Sequence, residues 1–134
     1  MIKIVMGTKG SGKTKKLIEE VRNAIENEHG NVVVIEKTDH LRYDIDYHAR
    51  LLSSDEYGID NFDKFYGFVC GLVSGNYDIT AIFVDSVLKI CRSEDLQALE
   101  SFLDRIEHIS KNVKFFLTVS MDVSLATDKI KKYL

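Results

Sequence analysis

An α/β domain with a mainly parallel sheet is the architecture that this sequence predicts, and three observations carry the prediction. A glycine-rich loop, Gly7-Thr8-Lys9-Gly10-Ser11-Gly12-Lys13-Thr14, separates a β-prone apolar run from a helical pattern. A continuous β-branched run, Val32-Val33-Val34-Ile35, follows that pattern, so residues 2–36 read as strand, helix, strand. Two further apolar runs, 80–85 and 113–119, alternate with helical patterns at 61–74 and 94–111.

Each element has its own signal. Ile2, Ile4, Val5 and Met6 form a buried strand. Leu17, Ile18, Val21, Ala24 and Ile25 recur on one face at 3.6 residues per turn, which predicts a helix over 12–29. Gly30 suits the left-handed position just past that helix. The run 32–36 lacks alternation, as a strand covered on both faces does. From Arg42 to Leu51 the pattern has period two: Tyr43, Ile45, Tyr47, Ala49 and Leu51 on one side, Asp44, Asp46, His48 and Arg50 on the other. That predicts an extra edge strand or hairpin arm within 42–57, whose polar side is either a solvated edge or a ligand face.

Asn61 is a fitting N-cap for a helix over 61–74 carrying Phe62, Phe65, Tyr66, Val69, Cys70 and Val73 on one face. Gly67 and Gly71 imply close packing there. Thr80-Ala81-Ile82-Phe83-Val84 is an apolar strand that ends in Asp85. Ser93-Glu94-Asp95 opens a helix with Leu96, Leu99, Phe102, Leu103 and Ile106 inward, and Val113–Val119 forms a fourth strand ending in Ser120. Asp122 is expected to cap a last helix reaching Tyr133, with Val123, Ala126, Ile130 and Leu134 inward. There is no repeat, linker or low-complexity tract, so residues 1–134 read as one domain.

Composition narrows the class. With 45% hydrophobic and 29% charged residues, a chain of 134 can bury a core without disulfides or metals. A net charge of −3 argues against a general nucleic-acid surface, and no apolar run approaches a membrane span. The sequence opens directly into a strand, without a signal-peptide pattern. Cys70 and Cys91 are isolated and read as buried reduced thiols of a cytoplasmic protein.

The glycine loop carries the chemistry. Glycines at 7, 10 and 12 allow backbone angles closed to other residues, so that successive N–H groups can point inward at an anion. The helix that follows adds its positive end. Lys13 can reach the outer phosphates of a bound triphosphate, and the Thr14 hydroxyl can bind Mg²⁺. The pattern G-x-x-x-x-G-K-T between strand and helix resembles the Walker A motif of the P-loop nucleoside triphosphatases. The resemblance implies that Gly7, Thr8, Lys9, Gly10, Ser11, Gly12, Lys13, Thr14 and Lys15 hold a nucleoside triphosphate. The apolar run ending in Asp85 looks like a Walker B element, which would place Asp85 on Mg²⁺ opposite Thr14.

The order of elements resembles the RecA-like, ASCE-type branch of these proteins. It implies a three-layer P-loop domain with sheet order 1-4-3-2 by order of appearance. It also implies a polar sensor at Ser120 or Thr118, and catalytic roles for Lys13, Asp85 and Ser120. One departure bears on reaction: Ser86, not an acidic residue, follows Asp85. A general base would then come from Asp39, Asp44 or Asp46, or from a partner, which could also bring an arginine finger.

These features point to Mg²⁺-dependent binding of ATP, with slow or partner-stimulated hydrolysis. ATP is favoured because the guanine-reading N-K-x-D pattern is missing; Asn112-Val113-Lys114 has the wrong spacing. A nucleoside-type kinase is the alternative. The opening is similar to RecA-like thymidine kinases in V-V-V-I-x-K followed by Asp39 and Arg42. It departs from them in that spacing, in Ser86, and in lacking their zinc-binding cysteines. A non-enzymatic, nucleotide-stabilised subunit or switch is the third reading, with a protein partner or a second copy docking on helix 61–74 or the tyrosine-rich segment.

Overall fold

The computed structural model describes all 134 residues. Five strands form one all-parallel sheet: β1 (Ile2–Gly7), β2 (Asn31–Glu36), β3 (Ala49–Ser53), β4 (Ile79–Val84) and β5 (Lys114–Ser120). Five helices connect or follow them: α1 (Lys13–Asn27), α2 (Phe62–Gly75), α3 (Val87–Ile90), α4 (Leu96–Ile109) and α5 (Asp128–Lys131). The sheet order is β1-β5-β4-β2-β3. This differs from the expected 1-4-3-2 by a fifth strand, β3, which stands at the edge beyond β2.

The alternation of side chains across β2 and β4 divides the core in two. Val33, Ile35, Ile82 and Val84 face a large cluster with Phe65 and Val69 of α2 and Leu99, Phe102, Leu103 and Ile106 of α4. Val32, Val34, Ala81 and Phe83 face the other way, onto Leu17 and Val21 of α1. Helices therefore flank both faces, and both central strands are buried on each side, as their unbroken apolar runs imply. No helix is long and apolar enough to cross a membrane.

Several local expectations are corrected. The alternating stretch from Arg42 is not a strand until Ala49. Residues 41–48 form turns in which Asp44 and Ile45 donate to the Leu41 carbonyl at 2.9 and 3.1 Å. The edge element within 42–57 is the parallel strand β3, not a hairpin arm. It runs on into a short 3-10 helix, Ser54–Tyr57.

Helix α1 ends at Asn27 with Glu28 as its extended C-cap, two residues before Gly30, and Gly30 is not left-handed. A methyl there would stand 2.3 Å from the Asp78 carbonyl and from the Thr80 side chain, so close approach is what requires glycine. Gly67 and Gly71 face open space, not a packed partner. Asp95 caps α4, accepting from the amides of Gln97 and Ala98, so Glu94 and Asp95 precede the helix and do not form its first turn. The last helix is broken in two. Asp122 caps a 3-10 turn, Val123–Leu125, and Thr127 caps α5. Ala126 and Ile130 are buried, whereas Val123 and Leu134 are exposed.

Candidate functional site

The site lies at the C-terminal ends of β1, β4 and β5, where an open parallel sheet leaves room for ligands. Register places Gly7 level with Ser120, so the glycine loop leaves the sheet beside the end of β5. The loop turns on Gly10 and Gly12, at φ of 85° and 89°, values that a side chain rarely tolerates. Ser11 donates its amide to the Thr8 carbonyl at 3.1 Å, and the Gly12 carbonyl accepts from Lys16 to start α1. Gly7 is fixed by crowding: an added methyl would stand 2.4 Å from the Ser11 hydroxyl.

No side chain caps α1. Its first amides, with Thr8, Lys9, Gly10, Ser11 and Gly12 exposed around them, form an open, electropositive rim suited to an anion. Lys13 is buried at its base and donates to the Thr8 carbonyl at 3.0 Å, folding back over its own loop. Burial pushes its ammonium below the usual lysine value; Asp85 opposes that shift and Lys89 adds to it. Lys15 points to solvent as an exposed residue of the first turn.

Thr14 opens toward the next strand. Its hydroxyl donates to Asp85, at 3.3 Å from Oδ1 and 3.5 Å from Oδ2. Asp85 follows β4 directly, and its amide donates to the Ile35 carbonyl of β2 at 2.9 Å, which fixes the carboxylate at the sheet edge. The fully buried Thr118 of β5 joins the pair: its hydroxyl donates to Asp85 Oδ1 at 2.9 Å and accepts the Ser86 amide at 2.7 Å. Ser86 adopts φ 59°, ψ 61°, a left-handed turn that starts α3 immediately after Asp85.

Three hard oxygen donors thus converge beside a cationic loop. These oxygens are of the kind Mg²⁺ takes, and neighbouring ligands of an octahedral ion at 2.0–2.1 Å stand about 3 Å apart. The Thr14 hydroxyl and the Asp85 carboxylate, at 3.3 and 3.5 Å, stand a few tenths of an ångström wider than that spacing, and Mg²⁺ ordinarily completes its shell with waters and phosphate oxygens.

The two sensor candidates separate in space. Thr118 touches Asp85. Ser120 instead lines a neighbouring cleft with Lys89 and Arg92. Of the candidate bases, Asp44 and Asp46 are not gathered at the loop. Asp44 and Asp46 line a groove of about 400 Å³ against Arg22, Ile25 and Glu26, late in α1 and several turns from Lys13. Asp46 is held by the His48 amide at 2.9 Å and by its ring at 2.6 Å. Asp39 faces Arg42 at 3.8 Å.

A carboxylate that the sequence did not single out lies within reach of the Asp85 charge. Glu36 ends β2, next to the strand that carries Asp85, and is buried. Burial raises its pKa; the Leu41 and His40 amides oppose that, and the Asp85 charge adds to it. Both Glu36 oxygens accept from the Leu41 amide, at 3.2 and 3.1 Å. Its one sequence signal was a charge closing an otherwise apolar strand. Set against known protein-family models and curated protein sequences, the chain matches none.

Proposed function

We propose that this chain is a P-loop domain that binds a nucleoside triphosphate, ATP by preference, with Mg²⁺, and hydrolyses it slowly or when a partner stimulates it. The observation that carries this reading is the approach of Thr14 to Asp85 within 3.3 Å beneath a loop turned on two left-handed glycines, with Lys13 buried at its base. The loop amides and the α1 N-terminus would take the phosphate oxygens. Lys13 would leave the Thr8 carbonyl for them, exchanging a neutral acceptor for a charged one.

Thr14 and Asp85 would hold Mg²⁺, which neutralises charge developing on the outer phosphates. Thr118 keeps the carboxylate aimed by donating to one of its oxygens. Glu36 is the base candidate in place of Asp44 or Asp46, with Asp39 kept beside it. A buried carboxyl with a raised pKa takes a proton more readily than an exposed one. A water entering beside it would share the Glu36 oxygens with the Leu41 amide.

Transfer to a small acceptor is the second reading, favoured by the cleft that opens beside Ser120. The deciding experiment follows the fate of ATP with purified protein and Mg²⁺, with and without a pool of nucleosides, using Lys13→Ala as the blank. Phosphate release without acceptor supports hydrolysis. ADP formed only when a nucleoside is present supports the kinase. Binding that survives unchanged in Lys13→Ala overturns the P-loop reading.

A further inference from the structure

The cleft beside Ser120 has a chemistry of its own. It encloses about 420 Å³ and is lined by Leu88, Lys89, Arg92, Ser93, Glu94 and Ser120. Ser120 is level with Gly7, so the cleft begins one strand away from the start of the glycine loop.

Helix α3 supplies one cation by exclusion. Val87, Leu88 and Ile90 are buried, which leaves Lys89 as its exposed residue. Lys89 lines the cleft, on the side where Ser120 ends β5.

Arg92 supplies the second cation from an unusual backbone. It sits at φ 50°, a left-handed conformation that non-glycine residues seldom adopt and that recurs at ligand sites. Its guanidinium is 4.0 Å from Asp55, whose other oxygen is already taken by Lys37 at 3.0 Å. Asp55 is therefore shared between two cations, and Asp60, the other carboxylate that feels the Arg92 charge, is itself bonded to Lys64 at 2.8 Å. Glu94 is the one carboxylate of the lining, so an anion would sit toward Lys89, Arg92 and the Ser120 hydroxyl.

We propose that Lys89, Arg92 and Ser120 form a second oxyanion subsite beside the glycine loop, taking a phosphate group. The ligand chemistry is a phosphoryl group with its negative oxygens outward. Its source is either the terminal phosphate of the bound nucleotide or a phosphate on a separate small molecule. The inference rests on the nucleotide reading of the loop, and its test is arranged so that the two can fail separately.

Calorimetric titrations of ADP, of ATP and of inorganic phosphate, the last with and without saturating ADP and Mg²⁺, are compared between wild type and the double variant Lys89→Met/Arg92→Met. ADP affinity is expected to stay within about twofold, since the loop is untouched. A tenfold or greater loss for ATP alone assigns the subsite to the terminal phosphate. Loss of inorganic phosphate binding to the ADP-loaded protein, with ATP affinity kept, assigns it to a separate molecule.

Arg92→Gly guards against a folding artefact. It relieves the positive φ and removes the guanidinium, so thermal stability should hold or rise while phosphate affinity falls. Unchanged affinity for ATP and for inorganic phosphate in both variants overturns the subsite and leaves the loop reading intact. If wild type binds neither nucleotide, the loop reading fails. Inorganic phosphate binding to the unliganded protein then decides the subsite: sensitivity to Lys89→Met but not to Lys13→Ala upholds it, and the reverse, or no binding, overturns it.

Discussion

The Thr14 hydroxyl stands 3.3 Å from Oδ1 of Asp85 across a separation of 71 residues, joining the first turn of α1 to the end of β4. A metal shared by the two oxygens would make their contributions interdependent. Asp85→Asn is expected to reduce ATP affinity measured with Mg²⁺ by tenfold or more and to leave Mg²⁺-free affinity nearly unchanged. Thr14→Val should do the same, and the double variant should lose little beyond either one, because contacting residues do not add. Titrations with and without Mg²⁺ check this. Equal losses in both conditions would make Asp85 a structural cap for the loop instead.

Gly7 tests whether the loop's shape, apart from its charge, matters. A methyl at this position meets the Ser11 hydroxyl at 2.4 Å and its Cβ at 3.1 Å. Gly7→Ala is expected to cost about 1–3 kcal/mol of stability and to weaken nucleotide binding, as overpacking does. Ser11→Gly in the same chain removes both clashing atoms and should recover most of the stability. Urea midpoints of the three proteins check it. No recovery in the double variant would show that the Gly7 backbone itself, not the contact, is the constraint.

The two thiols should differ in reactivity. Burial pushes the Cys91 thiol up to about 12, so it stays protonated and inert at neutral pH. Cys70 is only partly buried, on α2, which corrects the expectation of two buried thiols. A disulfide reagent added to the native protein should titrate Cys70 and spare Cys91, and both should react in denaturant. Prompt reaction of both in the native protein would show that α3 and its surroundings open readily.

How much of this was legible in the sequence depended on whether local pattern and tertiary demand agreed. The glycine loop, β1, β2, β4 and β5 were readable because apolar runs and glycines act locally. Thr118 and Ser120 were both visible as sensor candidates, but only packing distinguishes the one bonded to Asp85. The stretch 42–51 misled because strict alternation is also what a turn-rich segment can show. Tyr43 and Tyr47 are 90% and 87% exposed, and Asp46 captures the His48 amide that a ladder would need. The final helix was read as continuous although Asp122 and Thr127 are each able to cap a separate short turn. Glu36 was hidden because burial, not sequence, sets its pKa, and the Asp85 carboxylate that perturbs it arrives from a distant part of the chain.

Glu36 gives the prediction with the widest reach, since stability depends on its proton and, in the proposed reaction, turnover would as well. Burial raises its folded-state pKa above the ordinary value of 4.5, so between the two the native state binds more protons than the unfolded state. Stability must therefore fall as pH rises from about 4.5 through the folded-state pKa and then level off, as far as this group contributes. Glu36→Gln keeps an oxygen for the Leu41 amide but cannot ionise, so it should lack that fall. Against wild type it should gain stability with rising pH, and show no such pH-dependent gain below about pH 4.5. Urea midpoints from about pH 4 to pH 8 read this directly, and parallel curves for the two proteins would mean that Glu36 ionises without penalty. If Glu36 also takes the proton of the attacking water, the same variant should lose about 10²–10⁴-fold in turnover with nucleotide affinity retained. Retained turnover beside the altered pH curve would leave Glu36 as the anchor of the segment that begins at Leu41, and would direct the search for the base to a partner protein.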